Sequence, residues 1–257
     1  MRGGASSFLL LCDDGYPYIV KFQNNPQHLR VLANEWLATR LAEFLGLTVP
    51  PCAIIQVDNS LLETCDQLKI QHSASHFENC ATGRQFGSRL VGGLIGQQAM
   101  DYLPEKDLMQ VSNGNEFAGF LAFDKWTCNA DGRQAVFQQI QRQRQFQAWF
   151  IDQGYCFNGG EWKFVDAPLR GLYARNVVYR NICSWKDFEP WLTNIGEISA
   201  DKIWDIALTI PPEWYAGDKV ALETLVERLD LRRSQIRELI HDARRSSRDL
   251  FPSWSGC

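Results

Sequence analysis

The sequence predicts an α+β fold with two lobes, in which a small antiparallel sheet with one helix precedes a mostly helical part. Two apolar runs, residues 8–12 and 18–22, flank an Asp-Asp-Gly turn signal and predict a hairpin. An apolar face at helical spacing follows over residues 25–45, and helical spacing dominates the second half of the chain. We therefore expect an N-terminal lobe over residues 1–100 and a helical C-terminal lobe over residues 101–257.

Length, charge and cysteine usage restrict the class of protein. The chain has 257 residues, a net charge of -4 at pH 7 and 8 cysteines, with no C-x-x-C pair. No apolar run reaches the ~18 residues that a membrane span needs, and the negative charge gives no general attraction to nucleic acid. Scattered cysteines in a chain of this length are typical of reduced thiols. We therefore expect a cytoplasmic protein that binds neither a membrane nor nucleic acid directly.

Three features of the first lobe indicate an anion-binding site. Gly3 and Gly4 predict a loop whose backbone can approach a phosphate. Lys21 lies in the apolar strand I-V-K-F, where a lysine either reaches the edge of the sheet or points into a cleft toward an anion. Glu35 flanks the apolar face of the following helix and can reach back to Lys21, although a solvated carboxylate is the alternative. The order of glycine loop, strand lysine and helix glutamate favours the site.

The rest of the first lobe predicts two strands, at residues 53–57 and 86–90, with an irregular insert over residues 59–83. Four residues of the insert are of types that bind zinc: Cys65, His72, His76 and Cys80. A helix would place three of them on one face, which makes a metal site one interpretation. A chance spacing is the more common explanation of such a pattern.

Two carboxylates stand out in the second lobe, after a helix predicted over residues 116–128. Asp131 in N-A-D-G-R and Asp152 in F-I-D-Q-G are joined by a predicted hairpin with arms at residues 135–139 and 146–151. Phosphoryl transfer to a hydroxyl uses such a pair, because one carboxylate accepts the proton of the nucleophile and the other holds Mg²⁺ against the nucleotide phosphates. The alternative is a pair of turn residues, since Asp next to Gly is a common turn signal.

The C-terminal region predicts helices over residues 185–195 and 200–208, and two more within residues 218–250. Its last helices are locally basic, with Arg232, Arg233, Arg237, Arg244, Arg245 and Arg248. Acidic residues alternate with these arginines, which favours a solvated helix face over a site for an acidic partner or nucleic acid.

The order of these motifs resembles the HipA-like branch of the protein-kinase-like fold, which contains bacterial Ser/Thr kinases. The matching parts are the glycine loop, Lys21, Glu35, the N-x-D motif around Asp131 and the I-D-x-G motif around Asp152. The segments FDKWTCNAD and WFIDQG are similar to the catalytic helix and loop and to the metal-binding strand of short members of this branch. The motifs cover residues 3–160, and the remainder matches by helical character alone.

The resemblance implies an ATP- and Mg²⁺-dependent phosphotransferase that acts on a Ser or Thr hydroxyl of a protein. Asp131 would be the catalytic base, and Lys21, held by Glu35, would bind the α- and β-phosphates. Asp152 would bind Mg²⁺. Arg133 would face the γ-phosphate, with a surface salt bridge as the alternative role.

The resemblance also implies a role for the N-terminal loop. Gly3 and Gly4 would cover the phosphates of ATP. Kinases of this branch can phosphorylate a serine of this loop, and the added charge moves the loop out of the cleft. Ser6 and Ser7 are the serines at this position.

Two departures from the family pattern bear on activity. Val136 stands where the family has an asparagine that binds a second metal ion, and Gln134 and Asn129 offer an oxygen only at other spacings. The strand that precedes the glycine loop in the family is missing, so we expect a less complete roof over the nucleotide. These departures predict slow catalysis, a single metal ion, or nucleotide binding without transfer.

Two further functional hypotheses follow. The first is a pseudokinase, a nucleotide-binding or interaction module that works with a regulatory partner protein. The second is a kinase with another acceptor, such as a lipid headgroup or a small alcohol, although the sequence has no basic membrane-binding patch near the proposed cleft.

Overall fold

The computed structural model of the protein describes residues 7–73, 75–94, 99–141, 143–247 and 249–255. The residues for which the sequence predicts the phosphate loop, Gly3 and Gly4, lie outside these ranges, as does Ser6.

The N-terminal region forms a four-stranded antiparallel sheet and a small hairpin. Its elements are β1 (Ser7–Leu11), β2 (Pro17–Lys21), α1 (Val31–Phe44), β3 (Cys52–Val57), α2 (Asn59–Thr64), β4 (Lys69–Ser73), β5 (His76–Asn79) and β6 (Gly83–Arg89). The sheet has the order β1-β2-β6-β3, and β4 and β5 form a separate two-stranded sheet. The predicted hairpin and both further strands are therefore present, within three residues of their predicted bounds.

The two faces of β2 have different neighbours. Tyr18, Val20 and Phe22 belong to a small apolar cluster beneath the insert. Ile19 and Lys21 alternate with them and therefore lie on the other face of the sheet. The lysine of I-V-K-F is thus directed away from the insert, toward the C-terminal region.

Helix α1 is shorter at its start than the sequence predicts. The amide of Asn25 donates to the carbonyl of Phe22, and the side chain of Asn25 accepts from the amide of Gln27, so this segment is a turn and the helix begins at Val31. The predicted end of helix α1 is confirmed, because Gly46 has a φ of 75° just beyond its last residue.

The insert is ordered, which corrects the prediction of an irregular segment. It contains α2 and the β4–β5 hairpin, on which Nε2 of His72 lies 2.8 Å from Oε2 of Glu78. His72 and His76 face solvent, whereas Cys80 is buried and Cys65 packs against the same apolar cluster. Throughout the described residues, no three His, Cys, Asp or Glu side chains converge in a way that would hold a metal ion. The interpretation as a zinc site is therefore wrong.

The C-terminal region is mostly helical. Its elements are α3 (Glu105–Leu108), α4 (Glu116–Trp126), β7 (Gln134–Gln139), β8 (Phe146–Ile151), α5 (Trp191–Glu197), α6 (Ala200–Ala207), α7 (Lys219–Arg232) and α8 (Ile236–Ser246). Helix α4 is buried on every side after its first residue and forms the centre of the main core. Within the part of the chain that the structure describes, every helix falls short of what a bilayer span requires.

The β7–β8 hairpin has one core face and one open face. Ala135, Phe137, Ala148 and Phe150 are buried, and the ring of Phe150 stacks on Phe120 of α4 at 4.0 Å between centroids. The residues between them along each strand lie on the opposite, partly exposed face. Packing on α4 therefore sets which side chains of the hairpin reach the cleft.

One prediction about the last third of the chain needs correction, and another agrees with the structure. The helix predicted over residues 185–195 is two elements, because the chain breaks at Pro190 before α5 begins. The solvated helix face with alternating charges that the sequence predicts for the basic tail is present, since most of its described arginines contact a carboxylate, and only the first of them, Arg232, is buried among these pairs. The pairs are Arg232–Asp166, Arg233–Asp230, Arg237–Glu189 and Arg245–Asp242.

Gly119 of α4 permits the close packing of α5 on the central helix. A Cβ atom there would lie 2.4 Å from Cδ2 of Trp191. Overpacking by Gly119→Ala should therefore lower the free energy of unfolding by about 1–3 kcal/mol. The higher helix propensity of alanine should offset about 1 kcal/mol of this loss. Gly196→Ala in α5 is the matched control, because a Cβ there meets nothing within 4 Å. Urea denaturation should rank Gly196→Ala as the more stable variant, and equal stabilities would contradict this packing.

Candidate active site

Three charged side chains from distant parts of the chain meet between the sheet and the β7–β8 hairpin. Nζ of Lys21, on β2, donates to Oδ1 of Asp152 at 2.9 Å and to Oε1 of Glu35 on α1. Lys21 and Glu35 are 8% and 3% exposed, so both charges are removed from water. The structure thus brings together three of the residues that the sequence singles out.

The backbone after β8 completes this contact. Asp152 has a φ of 61°, and this turn directs the amide of Gln153 to Oε2 of Glu35 at 3.0 Å. The next residue, Gly154, lies directly against α1, where a Cβ atom would be 2.8 Å from Cγ2 of Val31. A glycine is therefore needed two residues after Asp152 so that α1 can approach this segment.

Charge compensation makes the cluster possible. Burial lowers the pKa of Lys21, but Glu35 and Asp152 outweigh this effect and raise the pKa above its usual value. Burial likewise raises the pKa of Asp152, and the Lys21 ammonium more than reverses the change and lowers that pKa. Burial raises the pKa of Glu35, which is the more enclosed of the two carboxyls. With both carboxylates ionised, the cluster carries one net negative charge and attracts a cation at Asp152.

Asp131 lies on an exposed loop that its neighbours hold in place. The amide of Asp131 donates to Oδ1 of Asn129, and Nδ2 of Asn129 donates to Asp124 of α4, each at 3.0 Å. The amide of Gly171 donates to the carbonyl of Asp131, also at 3.0 Å. The carboxylate is thus accessible to a substrate while its backbone is fixed from two sides.

Arg133 does not face the cleft, which corrects the expectation of a contact with the γ-phosphate. Its guanidinium is buried and forms a two-pronged ion pair with Asp124. Its remaining nitrogen donates to Oε1 of Gln153 at 2.8 Å and to the carbonyl of Ile151. Arg133 is therefore a positioning residue that joins the Asp131 loop to the strand that carries Asp152.

The two candidates for a second metal ligand, Asn129 and Gln134, and the position of the missing asparagine, Val136, have different surroundings. Asn129 is 3% exposed, and both ends of its amide are already hydrogen-bonded. Val136 lies in the middle of β7, opposite Trp149, on the open face of the hairpin. Gln134 begins β7, and its Nε2 donates to Oδ2 of Asp152 at 3.0 Å. Of the three, Gln134 alone places an amide beside the carboxylate.

Asn34 of α1 is a residue that the sequence interpretation missed. Its amide nitrogen donates to the carbonyls of Gly154, Cys156 and Gly159 at 2.8–2.9 Å, and its oxygen accepts from the indole of Trp162. The available signal was an asparagine within the apolar pattern of a helix, next to Glu35. This amide fixes the chain beyond Asp152 against α1.

The side of α1 away from the cleft contacts the C-terminal helices. The indole of Trp36 donates to Oγ1 of Thr209 at 2.7 Å and packs edge-on against Trp214. The indole of Trp214 in turn donates to the carbonyl of Arg84 in β6. Helix α1 is thus held between the hairpin and the C-terminal helices, with Glu35 directed at Lys21.

Two buried cations hold the loop between β8 and α5. Nζ of Lys125 donates to the carbonyls of Pro168 and Arg170 at 2.8 and 2.7 Å, and burial lowers the pKa of Lys125 to about 8. Arg232 pairs with Asp166 and also donates to the carbonyl of Lys125. These contacts place the loop beside the catalytic aspartate candidate, although the sequence pattern indicated only a basic tail.

The residues present fit a magnesium nucleotide. Oxygen atoms of Asp152 and Gln134 are hard ligands of the kind that Mg²⁺ prefers, and Mg²⁺ characteristically uses few protein carboxylates together with phosphates and water. The net charge of the Lys21 cluster favours a divalent cation at this point.

Comparison with known proteins agrees with this geometry. The chain is similar to the Helicobacter pylori proinflammatory kinase CtkA, with 16% identity, a TM-score of 0.55, and coverage of 91% of this chain and 94% of that chain. It is also similar to a golgi casein kinase, with 11% identity, a TM-score of 0.52, and coverage of 96% and 73%. At these identities the likeness shows the fold: the protein has the two-lobed fold of protein kinases, as the sequence predicts.

The family follows from the sequence match. The model of the HipA-like kinase family matches residues 1–158, which is more than half of the chain, and the protein therefore belongs to that family. A search of curated proteins found no match. Family and fold together indicate a phosphotransferase of the kinase type.

The buried position of Arg133 can be tested by its effect on stability. Arg133→Met leaves Asp124 buried without a cation, which should lower the free energy of unfolding by about 3–5 kcal/mol. The control is Arg84→Met, because the Arg84–Glu213 pair is exposed and such pairs contribute about 1 kcal/mol or less. Urea denaturation measures both. An unchanged stability of Arg133→Met, with loss of phosphoryl transfer, would instead support a phosphate-facing arginine.

Proposed function

We propose that the protein transfers the γ-phosphate of ATP, with Mg²⁺, to a Ser or Thr hydroxyl of a protein substrate. The observation that carries this proposal is the contact of Lys21 with Glu35 and Asp152, beside the loop of Asp131. Membership of the HipA-like kinase family supports the reaction class.

ATP would lie between the sheet and the open face of the hairpin. Leu9 pairs with Ile19 on the face of the sheet that also carries Lys21, and Leu9 is 51% exposed. Val136 and Trp149 form a cross-strand pair on the open face of the hairpin. These apolar surfaces suit an adenine ring, and this arrangement assigns Val136 a role in nucleotide contact rather than in metal binding.

The phosphates would extend from there toward Lys21. Its ammonium would bind the α- and β-phosphate oxygens while Glu35 holds it in place. The predicted glycine loop, Gly3 and Gly4, would cover the phosphates from above. Mg²⁺, when bound at Asp152, would neutralise charge on the β- and γ-phosphates.

Asp131 would act on the acceptor. Its exposed carboxylate would orient the hydroxyl of the substrate and accept its proton as the oxygen attacks phosphorus. The buried ion pair of Arg133 and Asp124 would keep this carboxylate at a constant position relative to Asp152. Ser7, at the start of β1, and Ser6 are the proposed sites of autophosphorylation.

We further propose that the two lobes meet near residue 100 and that the protein acts in the cytoplasm. Strand β6 ends at Arg89, and the main core resumes at Leu103, so the connection between sheet and helices lies in this interval. The seven described cysteines are free thiols, which suits a reducing compartment.

Nucleotide binding is the first consequence to test. ATP with Mg²⁺ at 100 times its Kd should stabilise the protein by about 2.7 kcal/mol and raise Tm by several degrees, because ligand binds only the folded state. Lys21→Met should abolish the ATP-dependent shift, whatever its own Tm. A shift that is the same with and without Mg²⁺ would favour a nucleotide-binding module without transfer. No shift in the wild type would contradict the proposed function.

Phosphoryl transfer tests the roles of the two aspartates. With labelled ATP and Mg²⁺, Asp131→Asn should lower the rate by about 10²–10⁴-fold, because the proton acceptor is lost. Asp152→Asn should abolish transfer, since the metal loses its carboxylate. Asp205→Asn, at an exposed position of α6, is the matched control and should retain full activity. ATP binding without any transfer by the wild type would make the protein a pseudokinase.

A further inference from the structure

The two oxygens of Asp152 have different partners. Oδ1 accepts from the buried ammonium of Lys21 at 2.9 Å, and the contact with Glu35 holds that ammonium on this side. Oδ2 accepts from Nε2 of Gln134 at 3.0 Å, and the side chain of Gln134 is exposed. Oδ2 is therefore the oxygen that remains accessible to a metal ion, and an uncharged amide lies beside it.

The strand register explains why this amide is at Gln134. Gln134 and Ile151 are the first cross-strand pair of the hairpin, so the side chain of Gln134 lies next to the residue that follows Ile151. Val136 is two residues further along β7, which is about 7 Å away along the strand, and it faces Trp149. The end of the hairpin, and not its middle, therefore adjoins the carboxylate.

We propose that Gln134 is the second protein ligand of the divalent cation and supplies the oxygen that the family pattern places at position 136. This inference rests on the proposed function. Without the cation, the amide nitrogen of Gln134 satisfies Oδ2 of Asp152. With the cation, the amide turns about its terminal bond, so that Oε1 of Gln134 and Oδ2 of Asp152 both face the ion. Nucleotide phosphates and water complete the shell, as is usual for Mg²⁺.

Among the amide side chains near Asp152, Gln134 is the one whose hydrogen bonds allow it to bind a metal ion. Asn129 has both ends of its amide hydrogen-bonded within the Asp131 loop. Gln153 is 1% exposed and its oxygen accepts from buried Arg133. The side chain of Gln134 makes no hydrogen bond to the described residues other than that to Asp152, so its amide can turn without breaking the core.

Metal binding can be measured without turnover. Electron paramagnetic resonance of free Mn²⁺ would report its affinity for the full chain in the presence of a non-hydrolysable ATP analogue. Gln134→Leu removes the oxygen and should weaken Mn²⁺ binding about tenfold. Gln134→Glu keeps a ligand oxygen and adds charge, so it should bind Mn²⁺ as tightly as the wild type or more tightly. Gln147→Leu, on the same face at the far end of the hairpin, should not change the affinity.

Comparing Gln134→Leu with Gln134→Glu shows whether Gln134 binds the metal ion or only donates a hydrogen bond to Asp152. If Gln134 serves only to orient Asp152 through its N–H group, the glutamate variant loses that donor, repels Asp152 and binds Mn²⁺ no better than the leucine variant. That result, or an affinity of Gln134→Leu equal to the wild type, would overturn the inference. If either result is obtained while the wild-type protein binds both the ATP analogue and Mn²⁺, the inference about Gln134 fails but the proposed function is unaffected. A wild type that binds neither would overturn both proposals.

Discussion

A buried ammonium group requires carboxylate partners, and in this protein the partners of Lys21 come from two other segments of the chain. Glu35 approaches on α1, and Asp152 approaches from the end of β8, 131 residues away. Leaving any one of these charges unpaired in the interior would cost several kcal/mol. The sheet, the helix and the hairpin must therefore meet at one point, and this meeting defines the cleft between the lobes.

Buried polar side chains extend this arrangement to the loops around the cleft. Asn34 binds three carbonyls beyond Asp152, and Arg133 ties the Asp131 loop to the same strand. Each of these groups is nearly inaccessible to water, so its hydrogen bonds must be made within the protein. Catalytic candidates that lie on loops are thus held as firmly as residues on strands, which is what positioning a phosphate and an acceptor demands.

The cleft combines apolar surfaces with a small negative charge. In the proposed arrangement, Ile19 of the sheet and Val136 of the hairpin would contact the adenine ring, and Asp152 would attract the cation at the inner end of the cleft. With one carboxylate and one neutral amide, the proposed metal site would rely on phosphate oxygens for the rest of its ligands. Such a site would bind Mg²⁺ together with the nucleotide more strongly than Mg²⁺ alone.

Local sequence patterns were sufficient to predict most helices and strands and the order of the motifs. Short apolar runs on either side of a polar turn segment predicted the hairpins, and helical spacing with a terminal glycine predicted α1, because these signals depend on neighbours in the sequence. The direction of Arg133, the amide of Gln134 beside Asp152 and the bonds of Asn34 were not predictable in this way. Each depends on strand register and on partners from remote segments, and periodicity within one segment contains no information about which remote group it will meet.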